Sequence, residues 1–147
     1  MICMETLSET LAALPIPAPP PAGVTAPIAA DLAEVERVLS AKLQSARPHV
    51  AELVAHLGHY RGKRLRPTLL LLTARACGGV QRAHHVLAAV VEMIHTATLV
   101  HDDVLDHASV RRHVATVNAG WGNQSSILLG DFLSPSETSV TRRPASS

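Results

Sequence analysis

The chain has 147 residues, a formal net charge of +1, 47% hydrophobic residues and only 17% charged ones, a balance that suits one packed domain and excludes wholesale disorder. One Trp, one Tyr and one Phe stand beside 22 Ala and 19 Leu, which argues against a β-rich core and for an all-α chain. The near-neutral charge gives no broad basic surface, so nucleic acid is excluded as a partner.

Residues 1–27 read as an extended, disordered leader, in which the stretch Pro15-Ile16-Pro17-Ala18-Pro19-Pro20-Pro21 alone holds five of the ten prolines. Glu5 and Glu9 take the place of the basic start that a secretory signal has. Helical spacing begins near Ile28, with Asp31 at the helix start and Leu32, Val35, Val38, Leu39 and Leu43 on one face. Pro48 opens a second helix through Val50, Leu53, Val54 and Leu57, up to Gly58. A third helix is predicted over residues 66–77, with Pro67 in its first turn and Gly78-Gly79 as its stop. Its apolar run, residues 69–72, is cut off by Arg75, and no uninterrupted run reaches the ~20 residues of a membrane span. The longest helix is predicted over residues 81–107, with Val86, Val90, Met93, Ala97, Val100 and Val104 as its apolar face. Residues 111–122 read as looser. Asn123 caps a last predicted helix through Leu133. Residues 134–147 lose all apolar periodicity and read as a disordered, non-native tail. Cys3 and Cys77 show no metal or redox spacing, which points to a reducing, cytoplasmic compartment.

Three clusters carry chemistry. In Gly62-Lys63-Arg64-Leu65-Arg66-Pro67, Lys63 and Arg66 stand three apart at a helix start, where backbone amides, a point charge and a guanidinium fork can receive a diphosphate. Alone, the cluster reads first as a solvated basic patch. In Asp102-Asp103-Val104-Leu105-Asp106, Asp102 and Asp106 lie one turn apart and repel each other. A divalent cation would remove that cost, and oxygen-only ligands suit Mg²⁺. Arg111-Arg112 follows as a second anion clamp. Metal and arginines together are the equipment for ionising an allylic diphosphate, with the apolar helix face to hold a hydrocarbon chain.

These clusters, with His95-Thr96-Ala97-Thr98-Leu99-Val100-His101 before the first aspartate, Trp121-Gly122-Asn123-Gln124 and Leu128-Leu129-Gly130-Asp131-Phe132-Leu133, closely resemble the trans-polyprenyl diphosphate synthases over residues 28–133. The resemblance implies the N-terminal part of an isoprenoid-synthase-type helical bundle, a homodimer at full length. It also implies Mg²⁺-dependent, head-to-tail condensation of isopentenyl diphosphate with an allylic prenyl diphosphate. Carried over by position, Lys63, Arg66, His95 and Arg112 bind the diphosphate of isopentenyl diphosphate. Asp102 and Asp106 hold Mg²⁺ with Asp103 supporting, and Arg111 touches the allylic diphosphate. Ala97 and Thr98, five and four residues before Asp102, set the floor of the product pocket. Both are small, so a medium or long product is expected.

The family needs about twice this length and a second aspartate-rich motif, so the chain is expected to be an inactive, truncated form. The alternative is a non-catalytic subunit of a heteromeric synthase, against which the intact Asp102/Asp106 pair argues. Zinc is disfavoured because His95, His101, His107 and His113 step by six and do not stack. A terpene cyclase would share the acidic motif but not the cations for two diphosphates.

Overall fold

The computed structural model describes residues 22–58 and 62–134. The proline-rich stretch and the tail beyond Ser134 lie outside the described residues. Helical structure begins earlier than the sequence suggests, with a single turn α1 (Ala22–Thr25) and a 3-10 turn (Ala26–Ile28). Order can start there because Ile28 is fully buried among Val35, Leu39, Leu71 and Ala88.

Helix α2 (Ala29–Leu43) carries Asp31 in its first turn, favourable at the positive end of the helix dipole. Asp31 also meets the His85 imidazole at 2.8 Å. Helix α3 (Pro48–Leu57) starts on a proline, whose missing N–H costs nothing in a first turn. Helix α4 spans Leu65–Ala76, and Gly78 and Gly79, both at φ 116, end it. Helix α5 (Arg82–Leu105) is capped by Gln81, whose side chain and that of His84 each bond the other's backbone N–H. It stops short of residue 107 because His107 turns left-handed at φ 51.

The stretch expected to be loose is ordered. Strands β1 (Val110–Arg111) and β2 (Val114–Ala115) pair antiparallel, Val110 with Ala115 and Arg111 with Val114. Arg112 (φ 51) and His113 (φ 68) form the turn, both left-handed as a type I′ hairpin requires. Helix α6 (Val117–Leu133) then begins six residues before the expected Asn123 and breaks at Gly122, where φ is 83.

Helix α5 is the central element, packed against α2, α4 and α6. Its N-terminal half joins Leu71 of α4 and Val35 and Leu39 of α2 in one apolar cluster. Its C-terminal half joins Leu53 and Leu57 of α3 and Leu129 and Leu133 of α6 in another. The buried positions of α5 are Ala88, Ala89, Glu92, Ala97, Val100 and Asp103, whereas Val86, Val90, Met93 and Val104 are only half-buried. The periodicity finds fully buried positions at Ala97 and Val100 and a core-packed flank at Met93, whereas Ala88, Ala89, Glu92 and Asp103 complete the fully buried stripe. Small alanines face the close neighbours, and larger side chains flank them. By length and composition α5 could cross a membrane, with mean hydropathy 1.3 over its apolar window. The core helix of a water-soluble bundle meets the same criterion.

Candidate functional site

Residues 62–64 form a bend that feeds α4. Arg64 precedes the helix at φ 50, ψ 37, a left-handed conformation that costs a non-glycine residue about 1–2 kcal/mol. Its carbonyl still accepts the first bond of the helix, from Thr68 N at 3.0 Å. Its guanidinium is held from two sides. Nε donates to Glu36 Oε1 on α2 at 2.5 Å, and Nη1 donates to Glu92 Oε1 on α5 at 2.9 Å. Burial pulls the Arg64 pKa down, but the hydrogen bonds to Glu36 and Glu92 more than offset it, so the group is held firmly charged. Pro67 is buried in the first turn of α4, where a missing N–H leaves no bond unmade.

This bend forms the rim of a cavity of about 910 Å³. Lys63, Arg66, His95 and Arg112, the four residues assigned by position to one diphosphate, all line it. They arrive from the bend, from α4, from α5 and from the hairpin turn. Much of the remaining wall is apolar, including Leu39, Leu43, Val54, Met93 and Leu99. Gly62 matters for the packing at this rim. A Cβ there would sit 2.9 Å from Arg112 Nη1, so any larger residue would make the Arg112 guanidinium shift from its place against the backbone. The His95 pKa is lowered, first by burial and then by the positive charges of Arg66, Arg112 and Arg111, with Glu92 opposing. A neutral imidazole among three guanidinium groups is a donor waiting for an anion.

The acidic end of α5 divides. Asp102 and Asp106 are exposed, one turn apart. Asp103 turns the other way and is 1% exposed, with Oδ1 accepting from Arg111 Nε at 2.7 Å. Arg111 is therefore committed to Asp103 in this structure, not extended toward the outer carboxylates. Asp103 thereby ties the end of α5 to the hairpin, and Asn118 adds to the tie by donating to the carbonyls of Asp103 at 3.2 Å and Ala108 at 3.0 Å. Among the described residues, no group of three or more His, Cys, Asp or Glu side chains gathers to hold a metal.

Neither Ala97 nor Thr98 lines this cavity. Ala97 is buried against Leu53, Leu57 and Leu129, and Thr98 is exposed, with its hydroxyl donating to His95 O at 2.8 Å. At about 100° per residue the face carrying Glu92, His95, Thr96 and Leu99 is the one that lines this cavity, and positions 97 and 98 lie off it. The Glu36–Arg64–Glu92 cluster was not foreseen. A carboxylate in the apolar stripe of α5 was the available signal, because a buried charge needs a partner.

The sequence profile of the family described as polyprenyl synthetase matches residues 47–142. The chain belongs to the polyprenyl synthetase family. The polyprenyl synthetase match runs past Leu133, into the segment that the sequence pattern set apart as a tail. A curated relative from Rhodobacter capsulatus, an all-trans-nonaprenyl-diphosphate synthase (geranyl-diphosphate specific), is 44% identical over 111 residues, 75% of this chain and 34% of its own. The octaprenyl diphosphate synthase of Escherichia coli (strain K12) is 45% identical over 109 residues, 71% of this chain and 32% of its own. The crystal structure of a polyprenyl synthase from Caulobacter crescentus CB15, complexed with calcium and isoprenyl diphosphate, superposes with a TM-score of 0.73 at 39% identity. It covers 81% of this chain and 36% of that one. This polyprenyl synthetase chain thus spans about a third of the length of the curated relatives it matches. The all-α architecture agrees with that of the matched polyprenyl synthetase structures.

Proposed function

We propose that this chain carries the isopentenyl diphosphate cradle and the first acidic motif of a trans-prenyltransferase, which joins isopentenyl diphosphate head to tail to an allylic prenyl diphosphate. The observation that carries the reading is the convergence of Lys63, Arg66, His95 and Arg112 on one cavity with a largely apolar remaining wall. The three permanent cations neutralise the diphosphate, and the neutral His95 donates a hydrogen bond to it. The apolar wall orients the five-carbon unit and excludes water from its reacting double bond.

Asp102 and Asp106 fit a divalent cation of the Mg²⁺ type. Both offer carboxylate oxygens at the exposed end of α5, with room for the waters that Mg²⁺ keeps. The chemistry such an ion supplies is positive charge at the departing diphosphate. Arg111, once released from Asp103, adds a guanidinium on the same side. A medium or long product is the extension favoured by the nonaprenyl and octaprenyl relatives. A homodimer at full length belongs to the same reading.

Titration with inorganic diphosphate tests it. Each of Lys63→Ala and Arg66→Ala is expected to weaken binding about tenfold or more, since a charge-assisted hydrogen bond contributes about 1.5–3 kcal/mol. Asp102→Asn with Asp106→Asn is expected to remove any gain in geranyl diphosphate affinity on adding Mg²⁺. Unchanged affinity in the alanine variants overturns the assignment. The 147-residue chain by itself is expected to show no transfer, because about two thirds of the relatives' length has no counterpart in it. Mg²⁺-dependent incorporation of labelled isopentenyl diphosphate would refute that.

A further inference from the structure

Arg64 sits between Lys63 and Arg66 in sequence and lines the same cavity, yet its guanidinium is taken up by two carboxylates of that wall. It donates to Glu36 on α2 and Glu92 on α5, each 28 residues distant in the chain. Nη2 adds a longer bond to Glu36 Oε2 at 3.3 Å. One guanidinium therefore ties three elements together while its backbone takes the left-handed turn that starts α4. The α5 end of the tie, Glu92, is 7% exposed and stands three residues before His95, one turn along the same face. Glu92 Oε2 is buried with no partner among the described residues, so this carboxylate is retained at a desolvation cost.

We propose that Glu36, Arg64 and Glu92 form a positioning clamp for the diphosphate cradle, fixing the bend that directs Lys63 and Arg66 to the cavity where His95 and Arg112 meet them. The proposal rests on the cradle reading above and deepens it. Arg64 contributes no charge to the ligand because two carboxylates already neutralise it. Its work is geometric. An anion held by several cations depends steeply on their mutual placement. A left-handed residue without glycine's freedom is kept only where surrounding contacts over-determine it.

The clamp makes a prediction whose sign opposes simple electrostatics. Glu92→Gln removes a negative charge beside an anion site, so charge alone predicts tighter binding. Positioning predicts weaker binding. In calorimetric titration of the full chain with inorganic diphosphate, Glu92→Gln is expected to weaken affinity about tenfold, with one site per chain retained. Arg64→Gly, which keeps the left-handed turn open but removes the tie, is expected to weaken it similarly and to keep the helical circular dichroism. Arg64→Lys is expected not to restore binding, since an ammonium cannot fork between two carboxylates.

Unchanged or tighter binding by Glu92→Gln overturns the clamp. If Glu92→Gln does not fold, Glu36→Gln at the more exposed end carries the same sign test. Lys63→Ala and Arg66→Ala separate the two levels. If they lose binding while the Glu92 and Arg64 variants keep it, the clamp falls and the cradle stands. If they bind like the unaltered chain, the cradle falls and the clamp with it.

Discussion

The Asp103–Arg111 pair gives the sharpest test of how the hairpin is held. Asp103 is 1% exposed and Arg111 27% exposed, with 2.7 Å between Oδ1 and Nε. The two partners are therefore unequal. Replacing Arg111 with Met keeps the side chain's length but leaves a carboxylate in the interior without its counter-charge. Breaking a buried pair in this way costs about 3–5 kcal/mol. Replacing Asp103 with Asn removes the interior charge instead, and Arg111 can turn to water. That change loses little more than a buried hydrogen bond, about 1–3 kcal/mol. A chain of this size shifts its melting temperature by roughly 3–5 °C per kcal/mol. Arg111→Met should thus lower the midpoint by about 10–20 °C, and Asp103→Asn by appreciably less. The double variant should recover about 1–3 kcal/mol of the summed loss, because the stranded charge is gone. Thermal unfolding followed by far-UV circular dichroism near neutral pH measures all three. An Arg111→Met midpoint equal to or above that of Asp103→Asn would refute the reasoning.

Other outcomes follow from the same geometry. His95 should titrate below its ordinary 6.5 by NMR, because burial and the nearby arginines disfavour its charged form. A depressed folded value means that the unfolded chain takes the proton first, so His95 costs stability as the pH falls from 6.5 toward the folded value and costs none above 6.5. Saturating inorganic diphosphate should raise that midpoint, and no movement would separate His95 from the anion site. Gly130→Ala should destabilise, because a Cβ there runs into the His101 imidazole. Overpacking of about 1–3 kcal/mol outweighs the ~1 kcal/mol helix-propensity gain of alanine. A raised melting temperature would count against that close approach of α5 and α6. Leu71→Ala, at a fully buried position of α4, should cost about 2–5 kcal/mol in urea unfolding.

Several elements could be read from local sequence because local physics decides them. Proline at the start of α3, paired glycines after α4 and the apolar spacing of α2 act within one or two turns of the chain. The hairpin could not be read this way. Its turn uses Arg112 and His113 in left-handed conformations without glycine, and Thr116 and Asn118 support it by bonding back to Ala108, Thr116 through its hydroxyl at 2.7 Å. Those bonds exist only once the chain has folded back on itself. The start of α6 was obscured for a related reason. Gly122 breaks the helix midway, so Asn123 has the look of a first cap.

The sequence by itself determined the all-α class, the order of the helices, and the identity and spacing of Lys63, Arg66, His95, Asp102, Asp106 and Arg112. Composition and short-range periodicity are enough for that, because helix formation and motif spacing are properties of neighbouring residues. Only the tertiary structure decided how each helix is rotated about its axis. That rotation turned Asp103 inward to Arg111, carried Ala97 and Thr98 off the cavity wall, and brought Glu36 and Glu92 together on Arg64. A helical period gives a stripe to within a residue or so, whereas its direction is set by the sum of contacts with α2, α4 and α6, which are distant in the chain.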